Sequence, residues 1–130
     1  DFDNALKDFN SALNLKNDFS EALRGRSAVY FDTKQYSLAV QDITDYIRLI
    51  SDNTDMIERR AICYVMLNDY KNAVQDYSLL IEQNPSKSSY FRGRSLMYAK
   101  LGDRENALKD IIVAQKMGET INENILKALQ

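Results

Sequence analysis

Laid over itself at a step of 34 residues, the chain matches without a gap. Tyr30 falls on Tyr64 and then on Tyr98; Ala5, Ala39, Ala73 and Ala107 share one column, Arg26, Arg60 and Arg94 a second, and Asp8, Asp42, Asp76 and Asp110 a third. A period of this length marks stacked supersecondary units, each too small to bury its apolar side except against the next. Residues 54–87 hold one whole unit. In it Ile57, Ala61, Tyr64 and Leu67 recur at helical intervals, and so do Ala73, Val74, Tyr77, Leu80 and Ile81, which gives two helices with one buried stripe each. Between them Asn68-Asp69 offers a polar turn with capping chemistry. Asn84-Pro85 stops the second helix, because the residue before a proline is pushed out of the helical region. Each unit is therefore a helical hairpin, and the chain is expected to be all-α.

These columns carry a resemblance to the tetratricopeptide repeat (TPR) family, whose units are 34-residue helix–turn–helix hairpins with large, small and aromatic residues in a set order ending in proline. The matching residues are Ile57, Ala61, Tyr64, Ala73, Tyr77 and Pro85, with Leu23, Ser27, Tyr30, Ala39 and Ile43 one unit earlier. Phe91, Ser95, Tyr98, Gly102, Ala107, Ile111 and Ala114 follow one unit later. The family's tryptophan slot holds Leu23, Ile57 and Phe91 instead, and one unit keeps the proline. The register gives full units at 20–53, 54–87 and 88–121, a leading second-helix half unit at 1–19 and a trailing capping helix at 122–130, all in a single repeat domain. The first helix of the leading half unit would lie upstream of Asp1, leaving its apolar face partly uncovered. The resemblance implies a right-handed α-solenoid of antiparallel helical hairpins whose first helices line a concave groove, and a protein–protein interaction module.

Composition excludes other classes. A net charge of −2 makes no electrostatic case for nucleic acid or an anionic membrane. No apolar run approaches the roughly 18 residues of a membrane span. The chain has no histidine, and its one cysteine, Cys63, has therefore no imidazole to activate it; it reads as a small apolar residue and suits a reducing, cytoplasmic compartment. No glycine-rich phosphate loop and no Cys/His metal spacing occurs. Catalytic residues, metal ligands and cofactors are accordingly expected to be none.

The periodic charged residues admit two pairings. Level across a hairpin stand Arg26 with Asp42, Arg60 with Asp76, and Arg94 with Asp110; the alternative pairs each aspartate with the arginine 18 residues on, as Asp8 with Arg26. Either makes them scaffold. Gly25 and Gly93, inside helices, signify close packing or else room for a ligand. Tyr30, Tyr64 and Tyr98 are expected to bury their rings and keep their hydroxyls at a polar edge. Ser20 is read as a helix N-cap, Gly118 as a helix stop, and Thr120-x-x-Glu123 as a capping box that opens the last helix.

The remaining slots of the first helices are those that the resemblance turns toward the groove. They hold Ala28, Phe31, Ile62, Val65, Met66 and Leu96, with Arg24, Arg59 and Arg92 around them. Some TPR domains clamp a terminal carboxylate with polar donors here, but Gly25, Ala28, Ser89 and Gly93 stand in those places and the clamp is not carried over. The expected partner is a protein or peptide, apolar with one or two acidic groups that the arginines orient. Glu21, Asp55 and Glu58 offset those arginines, however, so a solvated mixed-charge face is the competing reading, and a passive spacer segment the competing function.

Overall fold

A computed structural model describes residues 1–15 and 20–130. The described residues form eight helices and no strand: α1 (Phe2–Leu15), α2 (Ser20–Asp32), α3 (Tyr36–Leu49), α4 (Thr54–Met66), α5 (Tyr70–Gln83), α6 (Ser88–Lys100), α7 (Arg104–Lys116) and α8 (Glu123–Leu129). They fall into two compact units, Asp1–Leu67 and Asn68–Gln130, the division lying between α4 and α5.

In the first unit α1 packs on α2, α2 on α3 and α3 on α4. Leu13, Ala22, Leu23, Ala39, Ile43, Tyr46, Met56 and Cys63 make its core. In the second unit α5 packs on α6, α6 on α7, and α8 adds a thinner contact to α7. Ala73, Leu80, Tyr90, Met97, Ala107, Ile111 and Ala114 are buried there. The alanine column is the place of closest approach: Ala39, Ala73 and Ala107 are wholly inaccessible.

The turns after α2, α4 and α6 share one backbone device. Lys34, Asn68 and Gly102, again 34 residues apart, all take a positive φ (61, 56 and 80°). After α2 the amide of Gln35 donates to the Tyr30 carbonyl and that of Lys34 to Phe31; after α6 Asp103 donates to Tyr98 and Gly102 to Ala99. Such a left-handed stop satisfies the last carbonyls of one helix. The residue directly after it can then cap the next helix. The Asp69 carboxylate accepts from the Asn72 amide, and that of Asp103 from Asn106.

Helix ends follow the sequence reading at Asn84, where α5 stops, and at Gly118, whose φ of 106° lets Glu119 donate back to Ala114. Two caps differ from it. Ser20 is the first residue of α2, so the capping position before it lies outside the described residues. The last helix opens on Asn122, whose side chain accepts from the Asn124 amide, and not on Thr120. An asparagine directly before the helix supplies the acceptor that a capping box from Thr120 would have given.

Candidate functional site

The arginine and aspartate columns sort themselves first. Arg26 forks onto Asp42, Nε to Oδ2 at 2.8 Å and Nη2 to Oδ1 at 2.6 Å. Arg94 does the same with Asp110, at 2.7 and 2.8 Å. The pairing within a hairpin is thus the one adopted by both, and the guanidinium of each is held protonated above its ordinary value, chiefly by the hydrogen bonds to its aspartate. A further column escaped the sequence reading. Nη1 reaches back 16 residues to a neutral oxygen: Arg26 to Asn10 at 3.0 Å, Arg60 to Thr44 at 3.1 Å, Arg94 to Ser78 at 3.1 Å. The signal was present as Asn10, Thr44 and Ser78 at a 34-residue step, but three different residue types hide one role. Each arginine so ties its helix to the second helix before it.

The tyrosine column is half-buried. The guanidinium of Arg26 lies 5.7 Å from the Tyr30 ring centre, Arg60 5.9 Å from Tyr64 and Arg94 5.9 Å from Tyr98. The cation–π contact sets each ring beside the charge, and Tyr30 also packs against the core of the first unit. The fully packed tyrosines are Tyr46 and Tyr90.

Gly25 and Gly93 answer to packing. A Cβ on Gly25 would stand 2.2 Å from the Phe9 ring, and one on Gly93 would stand 2.6 Å from the Tyr77 ring. Aromatic rings of α1 and α5 occupy the space that a ligand would need.

The residues expected to bind a partner separate into two sets. On α2 and α4 of the first unit, Ala28, Phe31, Arg59 and Val65 are half-buried, while Arg24, Ile62 and Met66 are exposed. On α6 of the second unit, Arg92 and Leu96 are exposed. The three arginines are not equivalent. Arg24 is engaged by an ion pair with Asp55 and a 3.2 Å hydrogen bond to the Tyr46 hydroxyl, and these raise its pKa above the ordinary value. Arg92 pairs with Glu119 at 3.2 Å, and Glu119 also accepts from Ser88. Arg59 instead lies over the Phe31 ring at 5.7 Å and pairs with no carboxylate among the described residues. One and two turns further along α4 stand Ile62 and Met66, 45 and 54% exposed.

Beside Arg24 a cleft of about 510 Å³ opens between the end of α3 and the start of α4, lined by Tyr46, Ile50, Asp52, Thr54, Asp55 and Glu58. Among the described residues no three metal-ligating side chains converge, and no helix is long and apolar enough to cross a membrane.

No protein-family model matches the chain, and no curated protein matches it in sequence. Solved structures do. The crystal structure of MamA aligns over 91% of this chain and 69% of its own at a TM-score of 0.77 and 16% identity. MamA from Desulfovibrio magneticus RS-1 aligns over 90% and 66%, at 0.74 and 16%. The chain thus spans about two thirds of these relatives. The first TPR of Spaghetti (RPAP3), solved bound to the HSP90 peptide SRMEEVD, aligns over 85% of this chain and 89% of its own, at 0.70 and 22% identity.

Proposed function

For a chain that has the fold of a TPR-type all-α solenoid, we propose the role of a protein-interaction module that takes a peptide segment on the first-helix face of α2 and α4. The observation that carries this reading is the pair Ile62 and Met66, exposed one turn apart on α4 beside an arginine with no carboxylate of its own. Large apolar side chains left in water next to an unpaired cation suit a ligand that covers the first and neutralises the second. An apolar segment with one or two acidic groups meets both demands. The peptide on the RPAP3 domain, SRMEEVD, has that mixed character, and it is cited for its chemistry alone. Arg24, already held by Asp55, serves to shape the face; Arg59 supplies the free charge. On α6, Arg92 and Leu96 repeat the pairing of basic and apolar residue, with Arg92 partly spent on Glu119.

Selection of a random peptide library on the chain tests the reading. Selected peptides should combine apolar and acidic residues, lose about tenfold or more in affinity on Ile62→Glu, and become less salt-sensitive on Arg59→Ala. Arg24→Ala should weaken binding less than Arg59→Ala, and both changed to alanine should weaken it most. A library that yields no peptide would favour the spacer function. Peptides indifferent to Ile62→Glu would move the working surface elsewhere.

A further inference from the structure

The residues of α4 that face away from its core stand at coiled-coil spacing. Asp55, Arg59, Ile62 and Met66 follow one another at steps of four, three and four. At 3.6 residues per turn they fall within a band of about 60° around the helix. Asp55, Ile62 and Met66 are exposed and Arg59 is half-buried, while Met56, Ile57, Ala61 and Cys63 take the buried side. Such steps are those of the a and d positions of a heptad, a seam one helix wide. The seam is graded along its length. Its end at Ile62 and Met66 is apolar, and its middle holds the Arg59 guanidinium, which pairs with no carboxylate among the described residues. Its start borders the cleft beside Arg24, where Asp52, Asp55 and Glu58 outnumber that one cation. Spacing then decides what conformation of ligand fits. At 1.5 Å per residue the four side chains leave α4 at intervals of about 6, 4.5 and 6 Å. An extended ligand turns one side chain to a face every 6.6–6.8 Å or about that, and overshoots the fourth by about 3–4 Å. A helix alongside meets all four at its own steps of four, three and four.

We propose that the ligand of the α2 and α4 face is an amphipathic helix of a partner protein, packed antiparallel on α4, with the order apolar, apolar, acidic, basic at steps of four, three and four. This rests on the peptide reading and adds the ligand's conformation, order and direction. The apolar pair covers Met66 and Ile62, the acid meets Arg59, and the basic residue faces the rim of the cleft at Asp55 and Asp52. Two effects set the direction. Antiparallel helices bring opposite ends of their dipoles together, and an acid four residues before a base is the order that stabilises a helix from within. A parallel helix would need the base first, the weaker arrangement. No segment of the chain itself carries the proposed order, so the occupant is another protein.

The probe is an alanine-rich peptide with leucine, leucine, glutamate and lysine at those steps, locked as a helix by a lactam bridge on its far face. Its control has the same four residues with two prolines among them, which forbid the helix. Titrated against the chain and followed by amide NMR, the locked peptide should bind about tenfold or more tighter than the control, with shifts centred on Arg59, Ile62 and Met66. A locked peptide of reversed order should bind about as weakly as the control. Changing the peptide's glutamate to lysine should cost about tenfold against the parent chain, and Arg59→Glu in the chain should recover that loss. The comparisons among peptides need no altered chain, so they decide the matter even where Arg59→Glu fails to fold. A control that binds as well as the locked peptide, and is lost on Ile62→Glu, would overturn the proposal and leave the peptide reading standing. Equal binding of the reversed order, or indifference to the glutamate change, would overturn it also. Binding of neither peptide would overturn it, and the peptide reading falls with it only if the random library yields nothing. Self-association of the chain that Ile62→Glu abolishes would assign the face to a second copy, and so overturn it as well.

Discussion

Gly93 shows what one missing methyl group does. Alanine there would drive a Cβ into the Tyr77 ring, so Gly93→Ala should destabilise by about 1–3 kcal/mol despite the better helix propensity of alanine. Tyr77→Ile should remove the clash. Isoleucine is what the chain itself places at Ile43, where the residue 16 on is Arg59 and not glycine. A double-mutant cycle in urea with no recovery would contradict this account. The arginine forks make an asymmetric prediction. The Asp110 side chain is 8% accessible and that of Arg94 21%. Arg94→Ala strands a buried carboxylate and should cost about 3–5 kcal/mol, whereas Asp110→Ala leaves a cation that can turn to water and should cost about 1–3 kcal/mol. The double change should cost less than the sum. The sequence showed these residues as columns, because identity repeats. It could not show which of Arg24, Arg59 and Arg92 is free, since that depends on Asp55 and Glu119 arriving from other elements.

At the scale of elements, the turns and caps set where each helix begins. Lys34 adopts the left-handed conformation that Gly102 adopts at the same step, and for a residue with a Cβ that costs of the order of 1 kcal/mol. Lys34→Gly should therefore stabilise the chain by up to about 1 kcal/mol, read as a higher urea midpoint with an unchanged slope. The cap at α7 is pH-sensitive. Hydrogen bonds from the Asn106 side chain and amide hold the Asp103 carboxyl below its ordinary range. A carboxyl lowered in the folded state contributes above its unfolded value, near pH 4, and loses that contribution as pH falls through the lower folded value. Amide exchange at the start of α7 should accelerate below about pH 4, and Asp103→Asn, which keeps an acceptor but no charge, should flatten that dependence. Helix ends of this kind were legible in sequence wherever a polar residue or proline stood at the right step. The Asn122 cap was missed because two acceptable acceptors lay two residues apart.

For the whole molecule, the 34-residue step was enough to read the fold, since columns of one identity, such as Ala39, Ala73 and Ala107, are buried alike in each unit. Stability should be distributed accordingly. Leucine at Ala39 or at Ala107, both sealed, should cost roughly 1–3 kcal/mol each. α8 has no buried residue, and its amides should open at a cost near 0 to about 1 kcal/mol, the least protected of the described helices by hydrogen exchange. The pairing of ring with glycine, Phe9 with Gly25 and Tyr77 with Gly93, bears on how such a chain can be cut and rejoined. A recombination that moved residues 54–87 as a block would carry Tyr77 away and leave Gly93 behind, putting a bulky ring against whatever first helix came next. The portion that can be exchanged without a mismatch runs from one second helix through the first helix after it. The blocks that can be exchanged intact in this chain are therefore offset by half a hairpin from its repeat units.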